Sequence, residues 1–196
     1  MAHYYSEKQD SEFRAITITS FFHGKEFTFL SGPGVFSKDS VDRGTSLLCQ
    51  YMIVDSDEKV LDIGCGIGIM GAVAGSLGAK VVLCDTNSRA IGLARTNLAK
   101  NGIKDGHVLQ SNLYSKIADI DFDVVLSNPP QSAGKDVCFA LIEGAKEHLK
   151  SGGSLQLVAR PNKGGKTLAK KMEEVFGNVS VVVKKAGFAV YLSRKN

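Results

Sequence analysis

The sequence predicts an α/β chain built on a seven-stranded, doubly wound, mainly parallel sheet whose last strand is antiparallel, with a β-hairpin and a helix ahead of it. Three observations carry this. From residue 59 onward, strand-like apolar runs alternate with segments of helical period, the pattern of βαβ units that cover both faces of one sheet. The last two strand-like runs, 179–184 and 188–192, are separated only by Lys185-Ala186-Gly187, too short for a crossover, so the final strand must run antiparallel to its neighbour. The run Val60-Leu61-Asp62-Ile63 ends in Gly64-Cys65-Gly66-Ile67-Gly68, a strand-to-helix turn whose glycines let backbone approach a ligand closely.

Taken in order, residues 15–19 and 26–30 are β-branched or aromatic runs around Ser20-Phe21-Phe22-His23-Gly24-Lys25, which reads as a hairpin with a glycine-containing turn. Residues 39–53 read as a helix with Leu47, Leu48, Tyr51 and Met52 on its apolar stripe and Asp39 or Ser40 as its cap. Phe36 and Ser37 stand just before it, a common place for ligand contacts, and Tyr4 and Tyr5 either pack on the domain or touch substrate. The expected division is a hairpin-and-helix extension over 1–53, packed on a core over 54–196. In that core, strands are expected at 59–63, 80–85, 107–110, 122–127, 154–159, 179–184 and 188–192. Helices are expected at 69–77, 88–101, 135–150 and 166–176.

Composition narrows the function classes. With 196 residues and 43% apolar content, the chain has ample material for a single core. No uninterrupted apolar run reaches about 18 residues, and residues 1–14 lack a charged start followed by an apolar stretch, so a soluble, cytoplasmic protein without an export signal is expected. Cys49, Cys65, Cys84 and Cys138 form no Cys-x-x-Cys pair, and with no clustered histidines a metal site is not expected; the thiols read as buried and reduced. From Arg160 onward there are nine basic and two acidic residues, net +7, against net −3 for the rest. A basic end of this kind suits a polyanion such as RNA, or is an ordinary solvated surface.

Gly66-Ile67-Gly68-Ile69-Met70-Gly71 satisfies the dinucleotide fingerprint, and Asp85, closing the next strand, has acceptors for two ribose hydroxyls with Asn87 nearby. Two features redirect this reading. Asp62 precedes the glycines, making Asp-x-Gly-x-Gly-x-Gly, and Ser127-Asn128-Pro129-Pro130 ends the strand 122–127 at the carboxyl edge, where open α/β sheets bind ligands. The two prolines remove N–H donors and stiffen the loop. The Asn128 amide oxygen and the Pro129 carbonyl can then both accept from one planar –NH2 group and turn its lone pair toward an electrophile.

With these residues the chain resembles the class I S-adenosylmethionine-dependent methyltransferases, whose Rossmann-like sheet has seven strands with the last antiparallel. The resemblance implies S-adenosylmethionine as methyl donor and S-adenosylhomocysteine as product. It places Gly64, Cys65, Gly66 and Gly68 under the amino-acid part of the cofactor, Asp62 near its ammonium group or the water that meets it, Asp85, Thr86 and Asn87 at the ribose, and Asn112 with Leu113 at the adenine. Asn128, Pro129 and Pro130 take the catalytic role, and the Asn-Pro-Pro motif implies an exocyclic or amide nitrogen as acceptor. Gln131 departs from the aromatic residue that many relatives carry there to stack on a flipped base, leaving Phe36, Tyr4 or Tyr5 as candidates.

Gly34-Val35-Phe36-Ser37 and Val41-Asp42-Arg43-Gly44-Thr45-Ser46-Leu47-Leu48 extend the likeness to the family of ribosomal RNA small-subunit guanine 2-amino methyltransferases, over almost the whole chain. The likeness places Phe36, Ser37 and Thr45 near the cofactor or target pocket, and Lys135 at a phosphate or in water. Bacterial members carry a further N-terminal domain copy, which makes this chain similar to the single-domain branch. The expectation is therefore a cytoplasmic N-methyltransferase acting on a guanine amino group in ribosomal or transfer RNA, as a monomer or a homodimer. The rivals are a protein-glutamine or small-molecule N-methyltransferase with the same site and, more distantly, a non-catalytic RNA-binding module.

Overall fold

The computed structural model describes residues 14–37, 39–118, 121–130 and 134–196. Tyr4, Tyr5 and Gln131 lie outside the described residues.

The hairpin forms from β1 (Ile16–Phe22) and β2 (Lys25–Ser31), paired from Ile16↔Ser31 to Phe22↔Lys25. Its turn is shorter than the expected six residues. Only His23 and Gly24 turn, with φ of 49° and 74°, the double positive φ of the tight turn that matches strand twist. Phe22 stays in the strand because it is buried and packs its ring 5.9 Å from that of Phe27.

Helix α1 (Arg43–Tyr51) starts later than expected, because Asp42 is the cap in place of Asp39 or Ser40. Its Oδ2 accepts from the Gly44 N–H at 2.8 Å and the Thr45 N–H at 3.1 Å, satisfying two first-turn donors that have no partner within the helix. The loop before it is tied by Ser31 Oγ donating to the Ser37 carbonyl and by the Asp42 N–H donating to Ser37 Oγ.

The alternation beyond residue 59 folds as expected, through β3 (Lys59–Ile63), α2 (Ile69–Ser76), β4 (Lys80–Asp85), α3 (Ser88–Lys100), β5 (His107–Gln110), β6 (Phe122–Ser127) and α4 (Lys135–His148). It continues with β7 (Leu149–Ala159), α5 (Gly165–Phe176), β8 (Ser180–Lys185) and β9 (Phe188–Arg194). The seven-stranded sheet has the order β5-β4-β3-β6-β7-β9-β8. Strands β3 to β7 run parallel to one another, and β9 is antiparallel to both β7 and β8. Strand β7 begins five residues earlier than expected, its first residue pairing with Phe122. Gly153 permits this, because a Cβ there would stand 3.0 Å from the Phe122 and Asp123 carbonyl oxygens.

The sheet separates two cores. The hairpin, α1, α2 and α3 pack on one face, against side chains such as Val60, Leu83 and Val190. Helices α4 and α5 pack on the other, against Leu61, Val125 and Leu155. Adjacent residues of one strand serve opposite cores, as the period of two requires. The chain runs outward from β3 through β4 to β5, then returns to β6 on the other side of β3. The switch point of this topology lies between β3 and β6, and a crevice opens there at the carboxyl ends of the strands.

Candidate functional site

The crevice is a cavity of about 570 Å³, and the glycine turn and the Asn-Pro-Pro loop form two of its walls. Ser127 Oγ donates to the Ile63 carbonyl at 3.0 Å, which fixes the end of β6 against the end of β3 and sets the two loops side by side.

On one side the cavity is lined by Gly64, Gly66, Asp85, Thr86, Asn87 and Asn112, with Leu113 and Ser111 behind them. Gly64 and Gly66 have φ of 71° and 54°, and a Cβ at either would meet nothing within 4 Å, so the backbone conformation calls for glycine there and the space above stays open for a ligand. Gly68 serves another purpose. It leads into α2, and a Cβ would come to 3.0 Å from Ala94 and 3.2 Å from Leu83, so its hydrogen lets α2 close on α3 and β4. Asp85 ties the turn to the next loop, its Oδ2 accepting from the Gly66 N–H at 2.8 Å and its Oδ1 from the Asn87 N–H at 2.9 Å. Burial raises its carboxyl pKa, and those N–H donors oppose the rise. Asn87 caps α3 and also donates from Nδ2 to the Gly34 carbonyl, joining the segment ahead of α1 to this wall.

Asp62 sits beneath the turn and lines neither the cavity nor the smaller recess beside it. It is fully buried, and its Oδ2 accepts from the Gly71 N–H at 2.9 Å while Oδ1 has no partner among the described residues. Burial pushes its pKa up to about 7, the Gly71 N–H lowers it, and the neighbouring Asp85 charge raises it further. A buried carboxylate oxygen without a donor is costly, and a cation or ordered water relieves it. That vacancy in the hydrogen bonding fits the ammonium end of an amino-acid ligand lying on the glycine turn.

On the opposite side stand Asn128, Pro129 and Pro130 with Phe36, Asp42 and Phe188. The Asn128 amide is oriented by the cap and first turn of α1: Nδ2 donates to Asp42 Oδ2 at 3.1 Å and to Thr45 Oγ1 at 3.0 Å. Two acceptors on one end of the amide identify that end as the –NH2. The carbonyl end, Oδ1, receives no donor among the described residues and remains available. Thr45 is buried, and with Phe36, Cys65 and Asn128 it lines the smaller recess of about 30 Å³.

Several lining residues are not among the site residues expected from the sequence, although Arg160 and Lys163 belong to its basic end. Phe188 opens β9 one residue after the Ala186-Gly187 turn, and its ring underlies the Arg160 guanidinium at 4.7 Å. Arg160 and Lys163 complete the lining where β7 ends. The pairing of Ala159 with Ala189, and of Ala189 with Lys184, brings the β8–β9 turn to this same edge of the sheet. Lys135, Arg160, Lys163, Lys166, Lys184 and Lys185 are all exposed there, with Asp136 among them. Burial raises the pKa of all four cysteine thiols, and no cluster of metal-ligating side chains occurs among the described residues. Nor is any described helix long and apolar enough to cross a membrane.

A seven-stranded sheet with this order, a glycine turn at its switch point and an Asn-Pro-Pro loop facing it define an S-adenosylmethionine-dependent methyltransferase. The model of the methyltransferase small domain matches residues 26–192, and the chain belongs to that family. A Bacillus subtilis protein described only as uncharacterized is 38% identical over 202 residues, which cover 98% of both chains. The ribosomal RNA small subunit methyltransferase C of Cronobacter sakazakii is 37% identical over 196 residues, covering 94% of this chain and 54% of the relative, so the chain spans about half the length of that enzyme. Among solved structures, a Thermus thermophilus 16S rRNA guanine-N2 methyltransferase in complex with AdoMet and guanosine superposes with a TM-score of 0.83 at 29% identity, covering 95% of this chain and 51% of that one.

Proposed function

We propose that this enzyme transfers a methyl group from S-adenosylmethionine to the exocyclic 2-amino group of a guanine in small-subunit ribosomal RNA. The observation that carries the reading is the fixed Asn128 amide, whose –NH2 is held by Asp42 and Thr45 while its oxygen receives no donor among the described residues, in the cavity that Pro129 also lines.

When bound, the sulfonium of the cofactor supplies an electrophilic methyl group. The chain's own part is position and alignment. Gly64, Cys65 and Gly66 carry the amino-acid part of the cofactor, Asp62 pairs its ammonium group directly or through water, and Asp85 with Thr86 and Asn87 takes the ribose. Asn112 and Leu113 meet the adenine, and Phe36 and Thr45, which stand on the Asn128 side of the site, close over the cofactor from there. Gly68 contributes through the packing of α2. Asn128 Oδ1 and the Pro129 carbonyl accept the two hydrogens of the target amine, so its lone pair points at the methyl carbon, and Pro130 keeps that loop rigid. After transfer the nitrogen releases its proton to solvent.

The hairpin-and-helix extension, from its first described residue to residue 53, is an acceptor-side addition to the core that follows it, since Phe36, Asp42 and Thr45 all come from it. RNA as substrate is supported by the basic edge from Lys135 to Lys185 around the cavity mouth, a surface matched to phosphates, and by the guanosine bound to the T. thermophilus relative. Action on ribosomal RNA implies the cytoplasm.

Mass spectrometry of RNA nucleosides from cells with and without the gene tests this. The expected result is loss of N2-methylguanosine from small-subunit RNA, restored by the wild-type gene. Asn128→Ala is expected to fail in that rescue, with methyl transfer down by about 100-fold or more while the cofactor still binds. Unchanged nucleosides, with labelled methyl groups appearing on protein instead, would overturn the assignment.

A further inference from the structure

Asp42 does more at this site than cap a helix. Its Oδ2 is saturated, accepting from the Gly44 and Thr45 N–H groups and from Asn128 Nδ2. Its Oδ1 receives no donor among the described residues, and the residue is only half-buried and lines the cavity beside Asn128. A carboxylate oxygen is a pure acceptor with room for more than one donor. Asp42, Asn128 and Pro129 all line this cavity, and each carries an acceptor oxygen that receives no donor among the described residues: Asp42 Oδ1, the Asn128 amide oxygen and the Pro129 carbonyl.

That arrangement discriminates among amines. Two oxygens are needed for the hydrogens of the reacting –NH2, and the third faces whatever atom adjoins the carbon that bears it. In guanine one of the two neighbours is N1, which carries a hydrogen and donates. In adenine and cytosine the two neighbours are a bare ring nitrogen and a carbon, and in a glutamine side chain they are a carbonyl oxygen and a methylene, so none of them carries an N–H. Whichever neighbour faces Asp42, those groups leave the carboxylate oxygen without a donor, and the orientation that sets a lone pair against it is repulsive. Only guanine offers donor next to donor.

We infer that Asp42 is the residue that selects guanine, its Oδ1 accepting from the N1–H while Asn128 and Pro129 hold the adjacent 2-amino group. The inference rests on the guanine reading proposed above and supplies its specificity element. It also explains why the cap of α1 is an aspartate. Serine or asparagine would cap equally well, but neither offers a second acceptor oxygen toward the cavity.

The test uses 2-aminopurine riboside, which keeps the 2-amino group but carries a bare N1. Binding of guanosine and of this analogue is measured on the full chain saturated with S-adenosylhomocysteine, by the analogue's fluorescence and by competition. The wild type is expected to prefer guanosine by about 10- to 100-fold, the range for a charge-assisted hydrogen bond. Asp42→Asn retains one oxygen for the cap and for Asn128 and places an N–H2 where Oδ1 stood. It is expected to keep its melting temperature and its affinity for S-adenosylhomocysteine, and to bring the preference down to about 3-fold or less, or to reverse it. A wild-type preference that survives unchanged in Asp42→Asn would overturn the inference and leave the methylation of guanine standing. If the wild type binds S-adenosylhomocysteine but neither nucleoside, the guanine reading falls and the inference falls with it.

Discussion

Replacing Asp62 by asparagine isolates the electrostatic cost of the cofactor site. In the ligand-free fold the Asp62 carboxyl group is fully buried, holds one N–H and has its pKa raised from 3.8 to about 7. Between those values the folded protein keeps a proton that the unfolded chain has released. Folding stability therefore falls as pH rises from about 4 to about 7, and this contribution is level above that window. Three pH units at 1.36 kcal/mol each make the loss on the order of 4 kcal/mol. Asparagine does not titrate, so the pH dependence should leave with the charge. Chemical denaturation of ligand-free protein from about pH 4 to pH 8 measures it: the difference between wild type and Asp62→Asn should shift by several kcal/mol in favour of the variant as pH rises. Cofactor binding should move the other way. A cationic ammonium that pairs with Oδ1 favours the charged carboxylate, so the variant should bind S-adenosylmethionine about 10- to 100-fold more weakly at pH 8. Parallel stability curves together with an unchanged Kd would refute the assignment of Asp62 to the ammonium group.

Two further predictions concern surface and packing. Removing Arg160 and Lys163 together should weaken RNA binding and lower the slope of log K against log salt by about 1 to 2, read by filter binding at several salt concentrations; an unchanged slope would place RNA elsewhere. Gly71→Ala should destabilise by about 1 to 3 kcal/mol, because a Cβ there would stand 2.5 Å from Leu83, whereas Gly92→Ala, with nothing within 4 Å in α3, should stabilise by about 0.5 to 1 kcal/mol; thermal melts that rank the two the other way would contradict this account of α2 packing.

The parts of the site that could be read in the sequence were those whose chemistry is contiguous. Asp62 with its glycines and Asn128-Pro129-Pro130 are each one turn of chain, and the alternation of strand and helix placed both at the same edge of the sheet. What stayed hidden depends on partners far away in sequence. Asp39, Ser40 and Asp42 are all competent caps, and the choice falls on Asp42, which also meets Asn128, 86 residues away. Phe188 looked like one more apolar strand residue until the antiparallel pairing of β7 with β9 set it beside Arg160. The sequence suggests a longer hairpin turn than the structure has, because His23 is a non-glycine residue at positive φ and Phe22 is held in the strand by burial that its neighbours in sequence do not announce.

Residues 28 to 34 are laid along α3 by three asparagine side chains and one arginine. Asn101 receives the Thr28 N–H and donates to the Thr28 carbonyl, Asn97 does the same for Leu30, and Asn87 and Arg89 hold the carbonyls of Gly34 and Pro33. Every one of these bonds spans 53 to 73 positions of chain. During translation the hairpin therefore emerges first but has to wait, its outer edge unsatisfied, until α3 has been made. The asparagine rungs then occupy the backbone groups of β2 that another strand could otherwise pair with, so the step that finishes the acceptor wall also removes a site for aggregation.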